Sequence, residues 1–180
     1  MPNRYNMKRY FLILALALIG MSAYANGFSI EKNELRWQLV YPFATPLNDI
    51  YRLMLFSNDY RNIQRIDDHT LIAEMKPVKL NVEDYGFKRM KVPLYLVHYK
   101  FFPCTIIIET KENRYRATAL NIRLTNVSSQ FAATGAIEEI ENYIFTEGNL
   151  NDHLSQYIAP MLGKYLFEAL KFEPIEEEEW

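Results

Sequence analysis

The side chains that could do chemistry in this chain are few and scattered. Asp67, Asp68 and His69 stand together and form the nearest approach to a set of metal ligands. No HxH or HxxxH spacing accompanies them, and a stable site needs a third or fourth ligand with supporting hydrogen bonds. Asp also favours turns, because its side chain mimics a backbone carbonyl. We therefore predict a turn at these residues, and no metal site.

Cys104 is the only cysteine, so an internal disulfide is impossible. It lies in an isoleucine-rich stretch, whereas a reactive thiolate needs an electropositive, polar setting. We predict a small core residue. The acid pairs Glu83-Asp84 and Glu138-Glu139 are typical of solvated surfaces, because a raised carboxyl pKa requires burial.

Motifs for nucleotide, acyl or zinc chemistry are missing from the sequence, which has no Gly-rich phosphate loop, no GxSxG and no HExxH. We predict no catalytic, cofactor-binding or metal-binding residues, no cofactor and no enzyme. The 13 Tyr and 11 Phe could line an apolar or sugar-binding cleft. We favour the other interpretation, in which they fill a core and a half-exposed sheet face.

Residues 1–25 have the three regions of a secretory signal peptide. Cations precede the apolar run Phe11–Ile19, and Ala23-Tyr24-Ala25 offers small residues for cleavage after Ala25. We predict a periplasmic or secreted protein without a stable membrane anchor after cleavage. An uncleaved N-terminal anchor is the alternative, and Met7 could replace Met1 as the start.

Removal of residues 1–25 takes away three cations, so 17 Lys and Arg remain against 22 Asp and Glu, a net charge of −5. No basic stripe stands out, which argues against nucleic acid as a partner. The 155 residues that remain suit a single domain. We assign residues 26–172 to it and residues 173–180 to an acidic, disordered tail.

The stretch from Val92 to Leu124 is the most β-prone part and predicts three consecutive strands. Tyr95, Val97, Tyr99 and Phe101 alternate along a first strand, residues 94–102. Residues 104–110 form a second strand, covered on both faces. A hairpin at residues 111–114, with Asn113 left-handed, leads to the third strand, which bulges near Thr118.

Alternation also predicts a strand at Leu35–Tyr41 and a hairpin of residues 63–66 and 70–75. Thr45 as N-cap and Pro46 as first residue open a helix with apolar residues at i, i+3, i+4, i+7 and i+8. The charged connection Lys76–Lys91 is longer than a hairpin loop and is our candidate binding surface.

After a polar linker at residues 128–135, the pattern predicts a helix at residues 136–145. A longer helical pattern covers residues 152–171. Pro160 lies inside it, so we expect two segments that meet near Ala159, the second packed on the sheet.

The Trp37 strand, the Thr45–Pro46 helix and the Lys111–Arg114 hairpin with its Tyr115–Arg116 return resemble an exported bacterial family of unknown function with a TBP-like fold. The resemblance covers Leu35–Asn126, and the terminal helix completes it. It implies a strand-helix-strands-helix order. Because the family has no established activity, it implies no catalytic residues.

Together these patterns predict one α+β domain, a curved antiparallel sheet with helices packed on one face. The expected function is a non-enzymatic module that binds a protein or an envelope component. A carrier of a small apolar ligand held between helix and sheet is the second hypothesis, and a hydrolase of envelope polymers is the third. We expect a monomer or a weak homodimer.

Overall fold

The computed structural model describes residues 27–101, 104–126 and 137–174 of the 180-residue chain. The predicted signal peptide, the predicted linker at residues 128–135 and tail residues 175–180 lie outside this part. Across the described ranges, no helix combines the length and the apolar character that a membrane crossing requires.

The architecture is α+β, with one large antiparallel sheet and a few helices, which confirms the predicted fold class. The strands are β1 (Phe28–Glu31), β2 (Glu34–Tyr41), β3 (Tyr60–Arg65), β4 (Thr70–Met75), β5 (Tyr99–Phe101), β6 (Cys104–Lys111), β7 (Arg114–Leu120), β8 (Arg123–Asn126), β9 (Ile137–Glu139), β10 (Phe145–Thr146) and β11 (Asn149–Leu150). The helices are α1 (Leu47–Phe56), α2 (Leu94–His98), α3 (Glu141–Ile144), a π-helix (Leu154–Gly163) and α4 (Lys164–Ala169), with short 3₁₀ turns at Val82–Tyr85 and Arg89–Lys91.

Six strands form the main sheet in the order β1-β2-β7-β6-β4-β3. Burial alternates along β4 and β6 as a half-buried strand requires, with Leu71, Ala73 and Met75 inside and their neighbours partly exposed. The same alternation corrects the prediction for β6. Ile106 and Ile108 are buried, but Ile107 between them is half-exposed, so the strand is fully covered on one face only.

Two hairpins of the main sheet differ from the sequence-based expectation. Lys32 and Asn33 both have positive φ angles, 52° and 67°, and turn β1 into β2, where no first hairpin was predicted. Between β6 and β7, Glu112 is the residue with the left-handed φ, 47°, rather than Asn113. The hairpin itself lies at the predicted place.

The chain leaves the main sheet at Asn121, which has a φ of 52°. The predicted bulge near Thr118 is wrong, since the β6–β7 pairing is regular from Thr105–Leu120 to Lys111–Arg114. The break at Asn121 moves the buried parity from Ala119 to Ile122 and carries β8 into a second sheet of order β5-β8-β9. It therefore explains the change of pattern that suggested a bulge.

The predicted strand at residues 94–102 is also wrong in its first half. Residues 94–98 form α2, Tyr99–Phe101 is extended, and Phe102 lies outside the described residues. Pro93 begins the helical turn, because its carbonyl accepts the N–H of Leu96 at 3.0 Å. Proline suits this position because it lacks a backbone N–H, and an N–H at the start of a helix would have no partner within the helix. Tyr95 and Leu96 are buried side by side, as a helix allows and a one-sided strand does not.

Helix α1 confirms the amphipathic prediction, with Leu47, Ile50 and Met54 buried. Thr45, however, does not cap it. Pro46 occupies the cap position without a side-chain hydrogen bond, and the Thr45 hydroxyl donates instead to the carbonyl of Phe172 at 2.7 Å.

The C-terminal third is rearranged relative to the prediction. Part of the predicted helix at residues 136–145 is strand β9, followed by the four-residue α3. The long helix continues past Ala159 and Pro160 as a π-helix and changes to α4 at Lys164. In an α-helix a proline ring crowds the carbonyl four residues earlier, and the wider i→i+5 turn relieves this contact.

Helix α4 lies on the main sheet, as predicted, and hydrogen bonds to the carbonyls at its C-terminal end attach it there. A helix leaves its last four carbonyls without intrahelical partners, here those of residues 166–169. The Tyr41 hydroxyl donates to the carbonyl of Phe167 at 2.8 Å, and that of Tyr60 to the carbonyl of Ala169. The other two carbonyls accept from the backbone N–H groups of the two residues that follow the helix.

Tyr115 extends this arrangement beyond the helix end. Its hydroxyl donates to the carbonyl of Leu170 at 2.9 Å and accepts from the N–H of Phe172 at 2.6 Å. The end of α4 and the residues that follow it are therefore attached to the sheet by hydrogen bonds between their backbone groups and tyrosine side chains of β2, β3 and β7.

Candidate functional site

The Asp67-Asp68-His69 trio forms the turn between β3 and β4. Asp67 Oδ1 accepts the backbone N–H of His69 at 2.7 Å, and this hydrogen bond lowers the pKa of the Asp67 carboxyl. Asp68 pairs with Arg65 at 2.9 Å. Both carboxylates thus stabilise the turn, which confirms the turn interpretation. In the three described ranges, no group of three or more His, Cys, Asp or Glu side chains is placed to hold a metal ion.

Cys104 is a core residue, as predicted. Its side chain is 5% exposed, and its sulfur lies 3.9 Å from that of Met75. Burial raises the pKa of the thiol to about 12, so the thiolate that a nucleophile requires is scarce at neutral pH.

The paired carboxylates lie on the surface and contact nearby polar groups. Asp84 accepts from the amide of Asn81 at 2.9 Å, and Glu83 lies 3.9 Å from Arg89. In the second pair, Glu138 accepts from the hydroxyl of Tyr143. The structure keeps these two pairs in separate regions of the chain, one in the loop before α2 and one in β9.

A cluster of aromatic rings joins α2, α3 and the π-helix, and sequence reasoning missed it. The rings of Tyr95 and Tyr143 are 4.3 Å apart, and His153 and Tyr157 follow at 5.9 Å steps. His153 Nδ1 lies 3.2 Å from the carbonyl of Tyr143 and 3.4 Å from the hydroxyl of Tyr95. Because both neighbours belong to the cluster itself, we interpret His153 as a packing residue.

The space between helices and sheet is filled by side chains. Trp37, Tyr41 and Tyr115 are each 1% exposed, and Ile50 and Met54 of α1 are completely buried. The rings of Tyr41 and Tyr115 stack at 4.9 Å. Many of the aromatic side chains counted in the sequence therefore serve as core. A cleft of about 280 Å³ opens where α1 meets β3 and β4, lined by Leu47, Tyr51 and Leu71 among others.

Clefts of about 400 to 520 Å³ open at the margins of the fold. The cleft of about 520 Å³ lies beside Asn121, where the chain leaves the main sheet. It is lined by polar and charged side chains such as Glu34 and Arg123, together with Ile122 and Phe145. Glu141 borders it, and Glu141 Oε1 accepts the N–H of Leu35 at 2.6 Å. The lining of this cleft does not form a recognisable catalytic set.

The predicted binding loop, Lys76–Lys91, is partly packed on the body. Leu80 and Val82 are 5% and 2% exposed, and the ring of Phe87 meets that of Tyr157 edge-on at 5.8 Å. Its role as a binding surface stays a prediction.

The face of the main sheet opposite the helices is partly exposed and carries an ordered pattern, and we call it the open face. Strand register places one residue from each of five strands in a continuous central row. All five side chains are uncharged, and the row spans about 20 Å at the usual strand spacing. Thr118 in this row is buried at 4% exposure, three of the others are half-exposed, and the residue in β3 is exposed. In order across the sheet the row is Gln38, Thr118, Ile107, Ile72 and Gln64.

Charged pairs flank this central row on both sides. On one side Arg116 holds Glu109 through two hydrogen bonds of 2.7 and 2.8 Å, across the β6–β7 pairing. On the other side Arg61 holds Glu74 at 2.9 Å, across β3 and β4. Each arginine lies next to a glutamate, so both rims are charged but locally neutral.

Comparisons with known proteins show similarity to two solved structures. One is a TBP-like protein from Parabacteroides distasonis, 12% identical, with a TM-score of 0.48, covering 79% of this chain and 93% of that chain. The other is a DUF4468 family protein from Bacteroides ovatus, 10% identical, with a TM-score of 0.44, covering 81% and 82%. No family model and no curated protein matches the chain.

Proposed function

We propose that this chain is an exported, non-enzymatic binding module whose open face recognises a protein of the cell envelope. The observation that carries the proposal is the uncharged row with charged rims on a sheet face that the helices leave uncovered. Protein interfaces have this anatomy, with a centre depleted of charge and a polar rim. The signal-peptide pattern of residues 1–25 supports export.

The charge pattern also favours protein over nucleic acid. A phosphate backbone is bound by cations that are available to neutralise it. On the open face, Arg116 and Arg61 are instead engaged with Glu109 and Glu74. The fixed pairs can exchange partners with charged groups of a protein surface, which would set the orientation of the complex.

A site-directed crosslinking experiment tests this proposal. Cys104 is the only native cysteine and is buried, so an engineered surface thiol can be labelled selectively. We would attach a photo-crosslinker at Gln64→Cys in the central row, or at Leu55→Cys in α1, where the side chain is 54% exposed. Each protein would then be illuminated in the envelope of its own host.

We expect one discrete protein adduct from position 64 and a different or absent pattern from position 55. In the Gln64→Cys background, Ile107→Arg should weaken the adduct by at least about tenfold, because the new charge would be buried without a partner. Ile107→Thr, which keeps a β-branched and uncharged side chain, should retain it. Identical adducts from both positions, or an adduct that survives Ile107→Arg, would show that the open face is not the contact surface.

A further inference from the structure

The turn around Met90 exposes apolar and cationic side chains together, and we call it the tip. Met90 is 99% exposed and Leu94, four residues later, is 72% exposed. Lys88, Arg89 and Lys91 flank Met90 in the sequence, and all three are exposed. Single exposed apolar residues are common on proteins, but here two exposed apolar residues and three exposed cations fall within seven residues of sequence.

The exposure of Met90 does not result from a loosely attached loop. Val92, two residues later, is 8% exposed, and Val82 earlier in the loop is 2% exposed. The N–H of Lys91 bonds to the carbonyl of Lys88 at 2.8 Å and closes the turn that presents Met90. The body of the protein thus holds the tip outward.

Charge is distributed unevenly between this segment and the rest of the chain. Of the 20 Lys and Arg and 22 Asp and Glu in the chain, residues 76–98 hold five and two, so the remainder has 15 against 20. Glu83 lies 3.9 Å from Arg89, and Asp84 accepts from Asn81, so these two carboxylates offset part of the cationic charge. Residues 76–98 therefore have a net charge of +3, the same as residues 1–25, whereas the residues outside these two segments hold 12 Lys and Arg against 20 Asp and Glu.

A cleft of about 400 Å³ opens beside the tip. Lys79, Arg89 and His98 line it, together with parts of α2. Basic side chains around an open cleft suit a phosphate group, which a Lys and an Arg can bind through charge-assisted hydrogen bonds.

We propose that the tip docks this protein on an anionic lipid surface. Met90 and Leu94 enter the boundary between headgroups and acyl chains, while Lys88, Arg89 and Lys91 contact lipid phosphates. Elements that lie on membranes combine Lys and Arg with apolar side chains in this way. Two of the three cations of the tip are lysines, which protein interfaces are depleted in.

The test measures insertion of the tip directly. An environment-sensitive fluorophore is attached at Met90→Cys or, as a matched control, at Phe56→Cys, where the native side chain is 89% exposed on another surface. Each full-length protein is titrated with vesicles of phosphatidylcholine alone and of phosphatidylcholine with phosphatidylglycerol. The apolar run Phe11–Ile19 can itself bind lipid, so the result is the difference between labels placed in the same chain.

We expect a blue shift from the label at position 90 with phosphatidylglycerol vesicles, little shift with phosphatidylcholine alone, and none at position 56. Lys88→Gln and Lys91→Gln should each weaken the binding that this label reports about fivefold. With the fluorophore placed at Leu94→Cys, Met90→Asp should weaken the binding that this label reports at least about tenfold, whereas Phe56→Asp should not.

Three outcomes would overturn the proposal. The label at position 90 could remain unchanged, it could shift equally with both kinds of vesicle, or it could shift no more than the label at position 56. A label at position 90 that responds to envelope protein but not to vesicles would identify the tip as a protein contact instead. Because the open face lies elsewhere, these results are independent of the crosslinking experiment.

Discussion

Tyr115→Phe is expected to lower the free energy of unfolding by about 2–4 kcal/mol, although it removes a single oxygen. The Tyr115 hydroxyl serves two backbone groups, the carbonyl of Leu170 and the N–H of Phe172, and the side chain is 1% exposed. Without the hydroxyl, a buried donor and a buried acceptor are both left unpaired. Each such group costs about 1–3 kcal/mol. Urea unfolding at neutral pH measures the loss.

Two further tyrosines provide a graded comparison. Tyr60→Phe leaves only the carbonyl of Ala169 without its partner, so about 1–2 kcal/mol is expected. Tyr51 of α1 is half-exposed, so Tyr51→Phe should change the free energy of unfolding by less than about 0.5 kcal/mol. If Tyr115→Phe were as mild as Tyr51→Phe, the chain end beyond α4 would not depend on the sheet for its hydrogen bonds.

These tyrosines show which contacts could not be predicted from the sequence. The alternation around Trp37 and the periodicity of α1 are local, and both elements were predicted correctly from the sequence. Tyr41 and Tyr60, however, meet their carbonyls 126 and 109 residues away. A pattern of apolar residues places such side chains inside, but it does not identify the backbone group that each hydroxyl reaches.

The open face illustrates the same limit. Gln38 and Thr118 are 80 residues apart in sequence and hydrogen-bonded at 3.0 Å. Their meeting depends on the pairing of β2 with β7, and a shift of one residue would move every side chain to the other face. The uncharged row could therefore not be assembled from the sequence, although each strand in it was predicted.

The strand prediction for residues 94–98 was wrong for a different reason. Alternation over five residues is compatible with one and a half helical turns, and short apolar runs cannot be assigned by period alone. Pro93 was the available signal, because proline favours the start of a helix. The outcome depended on whether that signal outweighed the β-preference of the tyrosines and Val97.

The second large effect is a loss of stability at alkaline pH. Burial raises the pKa of Cys104 from 9.0 to about 12 and, chiefly by the same cause, the pKa values of Tyr60, Tyr95 and Tyr115 above that of free tyrosine. The unfolded chain releases these protons at lower pH than the folded chain. Their contribution is therefore complete below about pH 9 and is lost as the pH rises toward the folded values.

The free energy of unfolding is expected to fall by about 1.4 kcal/mol per pH unit for each group that the fold keeps protonated. Between about pH 9 and 10 only Cys104 contributes fully. Above about pH 10 the three tyrosines join it, together with Tyr165, whose pKa burial raises to about 12. The free energy of unfolding should thus fall by several kcal/mol by about pH 11, a large part of the stability of a domain of this size. Urea unfolding across this range, with tyrosinate absorbance recorded in parallel, checks the prediction.

Cys104→Ala separates the thiol from the tyrosines. The substitution lowers stability by a constant amount through lost packing, but it also removes the titrating group, so the slope between about pH 9 and 10 should flatten. Above about pH 10 the slope should remain, and Tyr60, Tyr95 and Tyr115 should ionise only as the chain unfolds, whereas exposed tyrosines ionise earlier. An unchanged slope in the lower window, or a thiol that reacts quickly at about pH 8, would show that Cys104 is accessible and would remove the basis for treating it as core.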